Sequence, residues 1–167
     1  MDKKACSVRY LMEDRDKSAG RFLASVGWKN AEITFLAGDA SFRRYRRLTL
    51  KKRRAILMDA PPPMEDVRPF IRITKHLNGL GYSVPEIMAK DINSGFLLLE
   101  DMGDVTYTNV LAKGANEKEI YSSAIDVLAD LHCRQPQVSI PNEIERYDES
   151  KLLNQAALFV ERRGEFG

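Results

Sequence analysis

Three consecutive prolines, Pro61-Pro62-Pro63, place the strongest local constraint on this chain. Proline has no backbone N–H to give to a ladder, so a strand that reaches them must end there. Reading back from that stop, Ala55-Ile56-Leu57-Met58 is a short buried-looking strand closed by Asp59-Ala60. Lys51-Lys52-Arg53 makes a turn before it. Phe42 to Leu50 alternates loosely, with Tyr45, Leu48 and Leu50 set among arginines. Gly38-Asp39-Ala40-Ser41 is turn chemistry, and Ile33 to Leu36 is a further short apolar run. This order predicts three sequential antiparallel strands joined by tight turns.

The periodicity changes on either side. Asp16 to Val26 carries Phe22, Leu23 and Val26 at helical spacing, with Gly27 as a stop. Beyond the prolines, Val67, Phe70, Ile71, Thr74 and Leu77 share one helical face, and Gly79 and Gly81 end that helix. Ser83-Val84-Pro85 leads into a fourth short strand at 86–89. Asn93-Ser94-Gly95 is a hairpin turn, and Phe96 to Leu99 is a fifth strand. The result is an α+β layer, a helix against one face of a five-stranded antiparallel sheet. After Gly103 the chain turns helical. Glu117 to His132 is amphipathic through Ile120, Tyr121, Ala124, Leu128 and Leu131; Pro136 and Pro141 break the chain; and 148–160 predicts a last helix. Two domains are expected, 1–102 and 103–167, with the boundary near Met102 to Asp104.

Several classes are excluded at this point. The longest apolar stretches, such as Phe96 to Leu99, are far too short to span a bilayer, so no membrane partner is expected. Met1 to Cys6 carries no apolar core or cleavage site of a secretory signal. Cys6 and Cys133 stand at unrelated spacing and make neither a metal motif nor a disulfide framework, which points to a reducing cytoplasm. Net charge is only +2, but Arg43, Arg44, Arg46, Arg47, Lys51, Lys52, Arg53 and Arg54 follow one another with no acid between. Such a stretch fits a solvated hairpin surface, a phosphate or a nucleic acid. Nucleic acid is the least favoured of the three, because Phe42 and Tyr45 make a thin stacking platform.

A set of motifs occurs in a telling order: Leu36-Ala37-Gly38-Asp39-Ala40-Ser41-Phe42-Arg43-Arg44-Tyr45, Met58-Asp59-Ala60-Pro61-Pro62, Val84-Pro85, Leu97-Leu98-Leu99-Glu100-Asp101-Met102-Gly103-Asp104, and Leu128-Ala129-Asp130-Leu131-His132. In that order, over residues 16–160, the chain resembles the aminoglycoside phosphotransferase family, in its bacterial amino-sugar kinase branch. That branch acts on cell-wall sugars such as N-acetylmuramate and N-acetylglucosamine. The resemblance implies a protein-kinase-like fold, with a small lobe of five strands and one helix followed by the first helices of an incomplete helical lobe. It also implies ATP with Mg2+ as cofactors, and a sugar or aminoglycoside hydroxyl as phosphate acceptor.

The resemblance assigns candidate residues. Gly38, Asp39, Ala40 and Ser41 would cover the nucleotide phosphates with backbone N–H groups. Leu99, Glu100, Asp101 and Met102 would form the hinge, where adenine pairs with main-chain atoms near Glu100 and Met102. The third strand departs from the wider kinase pattern. Met58 falls where a phosphate-holding lysine is expected, and no glutamate stands near Phe70 and Ile71 to partner one. Arg44, which shares a strand face with Arg46, is a candidate basic replacement; the alternative is that both face water.

The transfer chemistry of the family needs a loop with histidine and aspartate close together, an asparagine five residues on, and then a metal-binding aspartate. No His-x-Asp occurs in this sequence; His76 and His132 stand alone, so no catalytic and no metal-ligating residue is expected. The chain is therefore read as a truncated, N-terminal part of a kinase, inactive alone. The alternatives are a catalytically inactive nucleotide-binding or regulatory module, and a nucleic-acid binder through Arg43 to Arg54.

Overall fold

The computed structural model describes residues 3–36, 41–141, 144 and 147–163. The chain divides into two compact units, Met1–Ala129 and Asp130–Gly167. In order, the elements are α1 (Lys3–Ser25), β1 (Glu32–Phe35), β2 (Arg44–Leu50), β3 (Arg53–Asp59), α2 (Arg68–Gly79), β4 (Ile87–Asp91), β5 (Phe96–Glu100), α3 (Tyr107–Ala112), α4 (Glu117–Cys133), α5 (Pro136–Ser139) and α6 (Glu149–Arg163). The lobe boundary expected near Met102 lies inside the first unit.

The five strands form one sheet in the order β1-β2-β3-β5-β4, and every pairing is antiparallel. The sequence announces this sheet: each expected strand is present, and its ends differ by a few residues. β3 ends at Asp59, just before the prolines. Two elements are not announced. α3 is a single short helix whose N-cap Thr106 accepts from the Asn109 N–H. α5 starts at Pro136, which the first turn of a helix tolerates because that N–H has no helical partner. α1 is also longer than the 16–26 stretch that shows a clean apolar stripe.

Side chains alternate along each strand, so the sheet has two distinct faces. On one, α1 packs Ala19, Phe22 and Leu23, together with Trp28, against Leu48, Ala55, Leu57, Phe96 and Leu98. Gly27 ends α1 with φ +80, and Trp28 then donates its backbone N–H to Leu23 O at 2.8 Å, folding the indole back under the helix. Phe22 stacks on Phe96 with centroids 5.6 Å apart. On the other face, α2 packs Val67, Ile71 and the partly buried Phe70 over Met58, Leu97 and Leu99. Each fully buried apolar side chain contributes roughly 1.5–3 kcal/mol, so the sheet is held from both sides.

The β4–β5 turn is seated against the exit of β3. Gly95 has φ +71, and a Cβ on it would lie 2.0 Å from Ala60 O. Only glycine fits there, and Ala60 N–H donates to Gly95 O at 2.9 Å. In the second unit, Arg134 pairs with Asp130 one turn away at 2.8 Å, and Leu152 and Leu153 of α6 are exposed. Among the described residues, no helix is long and apolar enough to cross a membrane.

Candidate functional site

The strand register decides which arginines belong to which face. Tyr45 pairs with Met58, and Arg47 with Ile56. Ile56 in turn pairs with Leu99, and Leu99 with Ile87. Tyr45, Ile56, Met58, Leu99 and Ile87 all belong to the α2 face. By alternation Arg43 and Arg47 share that face, whereas Arg44 and Arg46 point to the α1 face.

On the α1 face Asp59 is completely buried and is the focus of a charge cluster. Arg15 of α1 donates from Nε to Asp59 Oδ1 at 2.7 Å, and Arg44 donates from Nη2 to Oδ2 at 2.7 Å. Arg46 lies 3.6 Å from Oδ2 and also donates to Asp16. Arg15 stacks over the Phe96 ring at 4.1 Å, and Arg46 over Phe35 at 5.2 Å. The reading that Arg44 and Arg46 face water is therefore corrected. Arg46 is 4% exposed, and both arginines are ion-paired, because a carboxylate two strand positions before the prolines needs neutralising cations once it is buried. Arg44 Nη2 is thus engaged by Asp59 on the face opposite Met58.

The α2 face is different. α2 covers Met58 and Leu99, whereas Tyr45, Arg47 and Ile56 are only partly buried. This strip runs from the β1–β2 turn to the segment after β5. At the turn end, Ser41 Oγ accepts the Arg43 N–H at 3.1 Å. Phe42 N–H donates to Glu65 Oε1 at 3.2 Å, and Arg43 Nε donates to Glu65 Oε2 at 2.9 Å. Partial burial works against the charge on Arg43, but the Glu65 carboxylate and Tyr45 more than offset it and hold the guanidinium above its ordinary pKa.

At the other end Arg47 donates from Nη1 to both oxygens of Asp104 at 2.8 Å, and from Nη2 to Asp101 Oδ1 at 3.0 Å. Hydrogen bonds to Asp104 and then Asp101 raise the Arg47 pKa. Asp101 Oδ1 also accepts the Gly103 N–H at 3.0 Å. Burial pushes the Asp101 carboxyl up, but the Gly103 N–H and the Arg47 guanidinium together hold it below the ordinary aspartate range. Glu100 ties the same segment to the strand entry before β4: its N–H donates to Glu86 O at 2.9 Å, and its Oε2 accepts the Glu86 N–H at 3.2 Å. Met102 is 59% exposed.

Of the candidate residues, Met58, Leu99, Asp101 and Met102 thus lie on or beside one strip, with Glu100 at its edge. Ser41 borders the strip, and Arg44 lies across the sheet from it. Gly38, Asp39 and Ala40 lie outside the described residues. Arg43, Arg47, Glu65 and Asp104 were not singled out by sequence. Alternation alone groups Arg43 with Arg47, but only the Tyr45–Met58 pairing puts them on the face of Met58.

A model of the phosphotransferase enzyme family matches residues 32–164. The chain belongs to that family. The chain is 39% identical over 147 residues to the N-acetylmuramate/N-acetylglucosamine kinase of Pseudomonas aeruginosa, covering 86% of this chain and 42% of that protein. It is 36% identical over 129 residues to the kinase of the same name from Pseudomonas putida, covering 77% of this chain and 37% of that one. The equivalent kinase of Caulobacter vibrioides is 30% identical over 149 residues, covering 73% of this chain and 41% of its own length. The chain therefore spans about 40% of the length of the curated relatives it matches. The kinase-like α+β fold and the amino-sugar kinase kinship are those the motif order implied.

Among the described residues, no three His, Cys, Asp or Glu side chains come together in a way that could hold a metal ion.

Proposed function

We propose that this chain supplies the nucleotide-holding lobe, residues 1–102, and the first helices of the second lobe, 103–167, of an ATP-dependent kinase acting on a sugar hydroxyl. N-acetylmuramate and N-acetylglucosamine are the acceptors suggested by the names of the relatives. The partly buried strip on the α2 face carries the reading. It offers apolar surface at Tyr45 and Ile56 for a base and main-chain groups at 99–102 for its edge. Basic and backbone N–H donors stand at the turn end for phosphates. The 38–41 turn would close over those phosphates. The acceptor site, the Mg2+ ligands and the groups that orient the attacking hydroxyl would lie in a longer parent chain, working in the cytoplasm.

Titrating ATP into the 15N-labelled chain tests this. Amide shifts should concentrate at 41–47, 56 and 99–102, and purified chain alone should phosphorylate no sugar. Shifts confined to the α1 face, or none at millimolar ATP, would sink the reading. Met58 supports a second reading. It offers no polar atom and is wholly buried, which suits a module that holds a nucleotide without transferring its phosphate. Sustained sugar phosphorylation by a longer parent would exclude it. The nucleic-acid reading loses ground, because Arg43, Arg44, Arg46 and Arg47 all pair with carboxylates of the same chain.

A further inference from the structure

We propose that Glu65 is a built-in occupant of an anion site formed by the Phe42 N–H and the Arg43 guanidinium, and that a nucleotide's polyphosphate binds there by displacing it. The inference rests on the nucleotide-lobe reading for its ligand, but its geometry stands apart. Two donors converge on two oxygens of one carboxylate: Phe42 N–H on Oε1 at 3.2 Å and Arg43 Nε on Oε2 at 2.9 Å. One backbone N–H beside one guanidinium, aimed at adjacent oxygens, is a recurring way to hold phosphate. The Ser41 Oγ bond to the Arg43 N–H fixes the turn that presents both donors.

Chemistry on the same face supports the assignment. Met58 leaves no cation at the centre of the α2 face. At the far end Arg47 is held by two aspartates. Arg43 is thus the β2-side cation nearest the turn, and a single carboxylate from the β3–α2 loop meets it. Both partners are only partly buried, with side chains 31% and 13% exposed. The Arg43 side chain keeps part of its surface in water, so the pair is easier to open than the buried Asp59 cluster, and its carboxylate fills the donors as an anion would. Di- and trianionic phosphates bring more charge and more acceptor oxygens than one carboxylate, so they can replace it.

The test uses inorganic triphosphate and ATP, each titrated by calorimetry at fixed low salt into the full 167-residue chain and into Glu65→Gln, Arg43→Gln and the double variant. Removing the competing charge in Glu65→Gln should tighten triphosphate by about fivefold. Arg43→Gln should weaken it by at least as much, and the double variant should match Arg43→Gln. A purely structural pair would make both single variants lose affinity. If Glu65→Gln binds triphosphate no more tightly than the unaltered chain, the inference is overturned. A readout free of substitution guards against misfolding: saturating triphosphate must shift the Phe42 amide and Arg43 Nε signals of the unaltered chain, and their constancy overturns the inference as well. Triphosphate tightening without tighter binding of ATP than of triphosphate, and without binding of adenosine, keeps the anion site and rejects the nucleotide-lobe reading. ATP-induced shifts at 99–102 without tightening in Glu65→Gln do the reverse.

Discussion

The two faces of this sheet use the same residue types to opposite ends. On the α1 face three arginines surround one fully buried carboxylate, and one of the three comes from the helix packed there. On the α2 face Arg43 meets the partly buried Glu65 at the turn end, and Arg47 bridges the buried Asp101 and the exposed Asp104 at the other. Burial decides what such a pair can do. A sealed pair cannot lose one partner without leaving an uncompensated charge in a low-dielectric interior. A rim pair can exchange its carboxylate for another anion at small cost. The cluster on the α1 face therefore holds α1 to the sheet, whereas Arg43–Glu65 and Arg47–Asp104 are the pairs better able to exchange partners.

Three measurements break or sharpen that contrast. The largest effect belongs to Asp59→Asn, which leaves Arg15, Arg44 and Arg46 without their shared anion. It should destabilise the chain by about 3–5 kcal/mol in urea unfolding, and a loss under about 1 kcal/mol would show that the cluster is not truly closed. Arg47→Met leaves the buried Asp101 without its guanidinium, so it should cost about 1–3 kcal/mol. The loss is less than for Asp59→Asn, because Asp101 keeps the Gly103 N–H and Asp104 is mostly exposed. It should also speed amide exchange at Gly103 and its neighbours while β3 stays protected. Equal losses from the two substitutions would erase the distinction between the faces.

The smallest effect is on pH. Asp101 has a folded pKa below its unfolded value, so its contribution is fully present above the ordinary aspartate value of 3.8. The contribution is lost as pH falls through the depressed folded value. Acid titration should therefore loosen the 101–104 segment only below that range. Asp101→Asn should remove this part of the acid dependence, and an unchanged acid profile in the variant would place the titration elsewhere.

Much of the sheet was legible because turn chemistry and prolines punctuate it: Gly38 to Ser41, Lys51-Lys52 and Pro61 to Pro63 each mark a strand end. α3 and α5 were not, since helices this short are decided by a cap and by local context rather than by periodicity. The site was half legible. The motif order led to the segment after β5 and to Met58, and alternation grouped Arg44 with Arg46. Choosing the face that carries Met58 required the pairing register, which is a matter of turn length rather than of any one residue. Glu65 could not be read at all. It follows a run of prolines like an ordinary helix-leading acid, and its partners Phe42 and Arg43 come from another loop.

The strand order β1-β2-β3-β5-β4 also has a consequence for how the chain acquires its shape. β1, β2 and β3 pair with chain neighbours, and so do β4 and β5, so both pieces form from local contacts. The β3–β5 seam must instead close a loop that contains α2 and β4. Closing such a loop costs chain entropy before any contact across it is gained, so topology delays the seam relative to the three hairpins. That seam sets Ile56 beside Leu99 and so brings the segment after β5 up to Arg47. The segment after β5 thus reaches Arg47 only through the pairing that topology delays.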